Sequence, residues 1–109
     1  MAYDEGLAQR IRKLLEDRDE VVERRMFGGL AFLWRGNLCV GVVKEALMVR
    51  VGPAAHDEAL SRPHARPMDF TGRPMKGLVY VAAPGLESDR ALRAWLERGV
   101  WFAASLPAK

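Results

Sequence analysis

At 109 residues, with 50% apolar and 28% charged side chains, the chain has the size and composition of one soluble globular domain around a single core. No apolar run approaches the roughly 18–20 residues of a membrane span, the acidic and then amphipathic start is not a secretory signal, and the one cysteine, Cys39, excludes an internal disulfide or a multi-cysteine metal site. The net charge of +3 equals the excess of a single segment, where Arg62, Arg66, Arg73 and Lys76 face Asp69 alone, and His64 adds to it when protonated. Such a segment is a candidate contact for nucleic acid or an anionic ligand, although an excess of three is small for a protein that lives on DNA. A reducing cytoplasm is the expected compartment.

The first element is a helix over 4–17. Leu7, Ile11, Leu14 and Leu15 form one apolar stripe on a 3.6-residue period, Arg10, Arg12, Lys13 and Glu16 take the other side, and Asp4 stands at the N-cap position. Short strands follow. In the first, Val22, Arg24 and Met26 share one face, and Val21, Glu23, Arg25 and Phe27 the other. "LAFLW" is the second; "RGN", Arg35 to Asn37, is a turn into "LCVGVV", and "KEA" turns the chain again into "LMVRV". Connections this short leave no room for a crossover helix, so the strands form an antiparallel meander.

Between the first two strands stand Gly28 and Gly29. A bulge or tight corner is the expected structural motif, because glycine permits positive φ and lets another backbone approach. A phosphate nest is the alternative, but it calls for a following helix N-terminus, and a strand follows instead.

A short helix is expected from Pro53 to about Leu60, ended by Pro63. The next stretch, "HARPMDFTGRPMKG", reads as a long loop with at most a short strand near Met68 to Phe70. "LVYVAA" is the last strand, and Pro84-Gly85 predicts a type II turn. The closing helix opens at Ser88, with Leu92, Trp95, Leu96, Gly99, Phe102, Ala103 and Leu106 as its buried stripe and Gly99 as a point of close contact with the sheet. Trp101 lies about 180° from Leu92 on that helix, among Arg90, Ala94 and Glu97. We expect a loop or the C-terminal tail to cover it, with a protein contact as the alternative. The fold class is therefore α+β, an antiparallel meander sheet flanked by N-terminal and C-terminal helices in a single domain over 1–109.

Catalytic chemistry is not legible in the chain. Cys39 lies in an apolar strand with no histidine brought to it by any recognisable pattern, and reads as a buried structural thiol. His56, Asp57 and Glu58 are consecutive, so on a helix they point in different directions and cannot chelate. Neither dinucleotide nor P-loop glycine motifs occur. The expectation is a non-enzymatic domain with no metal or cofactor.

"RRMFGGLAFLWRGNLCVGV", "LMVRVG", "PMDFTGRPMKGLVYV" and "LRAWLERGVWFAASLP" together resemble the N-terminal domain of the TfoX/Sxy family of bacterial competence regulators. The specific parts are Met26-Phe27-Gly28-Gly29, Gly72-Arg73-Pro74-Met75-Lys76 and the terminal helix with Trp95, in that order and spacing. The resemblance implies a compact α+β domain similar to the YjbR-like fold. It also implies a role around transcriptional control of DNA uptake, where full-length members act as co-activators beside a cyclic-AMP receptor protein. Those longer members carry a second, helical domain; this chain is expected to be a stand-alone first domain, and the family offers no catalytic residues to transfer. The leading expectation is a regulatory or interaction domain that binds a protein partner or itself, with Trp101 as candidate contact and no membrane association. The alternatives are a weak nucleic-acid module using Arg62, Arg66, Arg73 and Lys76, joined by Arg24 and Arg25, or a small anionic ligand held by residues 71–77.

Overall fold

The computed structural model describes residues 3–26, 28–70 and 73–108, with the side chains of 69, 70 and 73–75 outside that description. Helix α1 (Glu5–Leu14) begins where the Asp4 carboxylate accepts the Leu7 N–H at 3.1 Å, a side-chain N-cap. It ends three residues before the expected boundary, because Leu15 leaves helical geometry at φ −108° while its side chain still reaches the core. Leu7, Ile11 and Leu15 are buried as the stripe requires.

Strands β1 (Val21–Met26), β2 (Gly29–Trp34), β3 (Asn37–Val43) and β4 (Ala46–Arg50) form the expected meander. Arg35 and Gly36 take φ of 48° and 85° between the paired Trp34 and Asn37, the primed turn geometry that matches strand twist. At the glycine pair the chain reverses between Met26 and Gly29. Gly28 takes φ 72°, and a Cβ at Gly29 would run into the carbonyl oxygen of Val42 on β3. One glycine supplies the turn and the other the close approach of two strands. Phe27 lies outside the described residues.

Beyond β4 the fold departs from a simple meander. Helix α2 (His56–Leu60) starts later than expected, after a turn at Pro53–Ala55. The stretch read as a long loop is a hairpin of β5 (Ala65–Phe70) and β6 (Arg73–Val81). The sheet order is β1-β2-β3-β4-β6-β5, so β6 returns beside β4 and β5 is the far edge. Edge position is the physical reason a proline-bearing segment can be a strand: Pro67 has no N–H to donate, and the outward side of an edge strand needs none. A further difference is at Pro84-Gly85, where Ala83–Leu86 forms a 3-10 turn instead of a type II turn, with Gly85 N–H bonded to the Ala82 carbonyl at 2.9 Å.

Helix α3 (Asp89–Ala104) is capped by Ser88, whose hydroxyl accepts the Ala91 N–H at 3.0 Å. Its buried line is Leu92, Trp95, Leu96, Gly99, Val100 and Ala103; Val100 joins it, while Phe102 and Leu106 are only half-buried. A Cβ at Gly99 would stand 2.5 Å from the Cys39 carbonyl oxygen. Cys39 is the extra residue of an irregularity where β2 and β3 shift register beside Phe32 and Leu33, so the helix meets the sheet most closely where β3 bulges.

Alternation and register place Leu30, Phe32, Val40, Val42, Leu47, Val49, Val79 and Val81 beneath α1 and α3, in one core. Full burial of a side chain such as Leu92 or Leu96 contributes about 2 kcal/mol. On the face turned from the helices, Met48, Met68 and Leu78 form a second, small cluster with Leu38 and Tyr80 beside it. Arg12 ties α1 to β1, donating to Glu23 at 2.7 and 2.9 Å and to Glu5 at 2.7 Å. Among the described residues, no helix is long and apolar enough to cross a membrane.

Candidate functional site

The basic segment is divided by the fold. Arg62 follows α2 and turns back on it, its Nε donating to Glu58 of that helix at 2.7 Å. Arg66 projects from the opposite face, since it pairs with Tyr80 across β5 and β6 and its guanidinium lies 4.7 Å from the Tyr80 ring. Lys76 is exposed on β6. The side chain of Arg73 lies outside the described residues, as do Thr71 and Gly72 of the 71–77 segment. Arg62 and Arg66 therefore do not share a surface.

Glu58 is the hub that sequence reading missed. Both of its carboxylate oxygens are engaged, one by Arg98 at 2.8 Å and the other by Arg62 at 2.7 Å. The Arg98 guanidinium, and then that of Arg62, hold its carboxyl well below the usual range, at about 2. Arg98 also lies 5.0 Å over the Trp95 ring. Nothing in the spacing of Glu58 and Arg98 signals this contact, which forms only when α2 and α3 pack side by side.

The other titratable candidates have structural occupations. Burial pushes the Cys39 thiol up to about 12, and its Sγ faces the Asn37 carbonyl at 3.9 Å. His56 is buried, and its Nδ1 accepts the Gly77 N–H at 2.9 Å, tying α2 to β6. Among the described residues, no group of three or more His, Cys, Asp or Glu is placed to hold a metal ion.

Trp101 is the main correction to the sequence reading. Neither a loop nor the tail covers it; the side chain is 76% exposed. The tail is held at the β2–β3 hairpin instead, where the buried Asn37 donates its Nδ2–H to the Pro107 carbonyl at 2.9 Å. Trp101 borders a recess of about 410 Å³ lined by Val51, Ala55, Ala94, Glu97 and Arg98. The floor is apolar, and its two charged residues are already paired within the chain: Glu97 with Arg18 at 2.6 Å, and Arg98 with Glu58. A second recess, of about 330 Å³, shares Ala94 and Arg98 and is bordered by His64, held at φ 68° against Gly85. A solvent-facing tryptophan beside an apolar hollow whose charges are paired within the chain is suited to contact with another macromolecule, since tryptophans in such settings are enriched among residues that dominate binding energy.

No curated protein and no solved structure matches the chain. The family model described as the TfoX N-terminal domain matches residues 13–103, from Lys13 at the end of α1 through Ala103 in the last turn of α3. The chain belongs to the TfoX N-terminal domain family.

Proposed function

We propose that the protein is a non-enzymatic regulatory interaction domain that binds another protein chain through the outer face of α3. The observation that carries this reading is Trp101, 76% exposed on a helix otherwise fixed by its opposite side. Leaving an indole in water forgoes the roughly 1.5–3 kcal/mol that burial of a large apolar side chain contributes, and a contact regains it. The occupations of Cys39, His56 and Glu58 support the non-catalytic part: each has a structural partner, and they do not converge. Membership in a family associated with regulators fits a role exerted by contact.

The test is photo-cross-linking in cells of the native organism, with Trp101 replaced by a benzophenone amino acid and Glu45, exposed on the β3–β4 turn, replaced in a control. Adducts of defined mass are expected from position 101 and not from 45. Absence of any adduct from 101 overturns the reading.

The nucleic-acid alternative has less support. Arg62 is paired with Glu58, a carboxylate it shares with Arg98, and faces away from Arg66, so a phosphate backbone would meet at most part of the basic segment at once.

A further inference from the structure

We infer that the occupant of the Trp101 face is a second copy of this chain, paired antiparallel along α3 about a two-fold axis level with Glu97 and Arg98. This rests on the reading of Trp101 as a contact residue and names its partner.

Ala94 and Trp101 are seven residues apart on one helix, two turns or about 10 Å, and so share a face. That face carries both a projecting indole and the hollow next to it, floored by Ala94, Val51 and Ala55. In an isologous contact residue i of one copy meets residue j of the other and the reverse. A two-fold midway between positions 94 and 101 sets each Trp101 over the Ala94 hollow of the other copy, filling both with one operation. The small side chains of Ala94 and Ala104, both exposed, let the helices approach to the 8–10 Å of ordinary helix packing.

Charge favours the same pairing. A two-fold brings each residue near the axis close to its own twin, here Glu97 to Glu97 and Arg98 to Arg98, which opposes pairing when the charges are free. In this chain both are paired, Glu97 by Arg18 at 2.6 Å and Arg98 by Glu58 at 2.8 Å, a carboxylate it shares with Arg62, so the repulsion between twins is reduced. The ends of the helix are complementary as well. The last turn of α3 contains no basic residue of its own to meet its partially negative carbonyls. The same two-fold that seats Trp101 brings Arg90 of the other copy level with residues 104 and 105, where its charge answers that helix end.

A contact along one helix and its shoulder falls at the small end of stable interfaces, so the dimer is expected to be concentration-dependent, with Kd on the order of 10 μM. Sedimentation of the full chain from about 1 to about 500 μM brackets that range. The expected result is a reversible monomer–dimer equilibrium that Trp101→Ala weakens at least about tenfold. Glu97→Cys, close to the axis, is expected to give covalent dimers with a short bismaleimide, and Glu45→Cys is not. The native Cys39 is fully buried and does not compete. A chain monomeric throughout, a dimer indifferent to Trp101→Ala, or equal cross-linking from positions 45 and 97 would each overturn the inference. The photo-cross-link separates this from the parent reading: adducts of unlike mass alone overturn the second copy and leave the contact face standing, whereas no adduct overturns both.

Discussion

The two sides of α3 are built on opposite terms. On the inner side, Leu92, Leu96, Gly99 and Ala103 are buried against the sheet, and the helix comes so close that Gly99 leaves no room for a Cβ beside the Cys39 carbonyl. Seven residues after Ala94 on the outer side, Trp101 stands 76% in solvent with no tertiary element across it. The inner face fixes where the helix lies and tolerates little change. The outer face contributes little to the fold, so it is the side free to serve a partner. Its electrostatics follow the same division, because the charged residues bordering Trp101 are paired with other parts of the chain.

Substitutions on the inner side are the strongest way to break this contrast. Leu96→Ala, at a fully buried position, is expected to cost about 3 kcal/mol in denaturant unfolding. Gly99→Ala comes next, at about 1–2 kcal/mol: the overpacking against backbone outweighs the gain of up to about 1 kcal/mol in helix propensity. If it stabilised the protein, the close approach of α3 to β3 would be wrong.

A smaller effect concerns acid. The Glu58 carboxyl is held at about 2, below its unfolded range, by Arg98 and then Arg62. The unfolded chain therefore binds the proton first, so the stabilisation is complete above about pH 4.5 and is lost as the pH falls toward 2. Half of the Glu58 side chain is exposed, and screening keeps the contribution modest. Thermal melts between pH 2 and 5 are expected to show a shallower acid slope for Glu58→Gln than for the parent chain. Equal slopes would place the acid sensitivity elsewhere.

The smallest expected effect sharpens the comparison most. Trp101→Ala, measured at low concentration where the chain is monomeric, should change stability by no more than about 0.5 kcal/mol. A loss comparable to that of Leu96→Ala would make Trp101 part of the fold rather than of a contact.

Much of the architecture was readable from local pattern. The α1 stripe, the Asp4 and Ser88 caps, the Arg35-Gly36 turn and the need for glycine at position 99 all express rules that act within a few residues, and each is present as expected. The β5–β6 hairpin was not readable, because its prolines and glycines carry the local signature of a loop; Pro67 is acceptable on the edge strand, and Pro74 lies in the part of β6 that runs beyond its pairing with β4. The site was partly readable. Helical periodicity put Trp101 off the buried stripe, but it could not say whether anything lay above it; that depended on Asn37 capturing the tail at Pro107. Charge counting found the basic segment and could not find its division, since Arg62 and Arg66 reach opposite faces only once α2 and β5 are placed.

Near neighbours along the chain settle which segments are helices and strands through β4, where they are capped and which faces they bury, because capping, turn geometry and amphipathic period act within a few residues. That β6 returns beside β4, that Glu58 gathers Arg62 and Arg98, and that Trp101 remains in solvent follow from the packing of whole elements. Each of these depends on contacts between residues far apart in the chain, whose free energy appears only when whole elements pack.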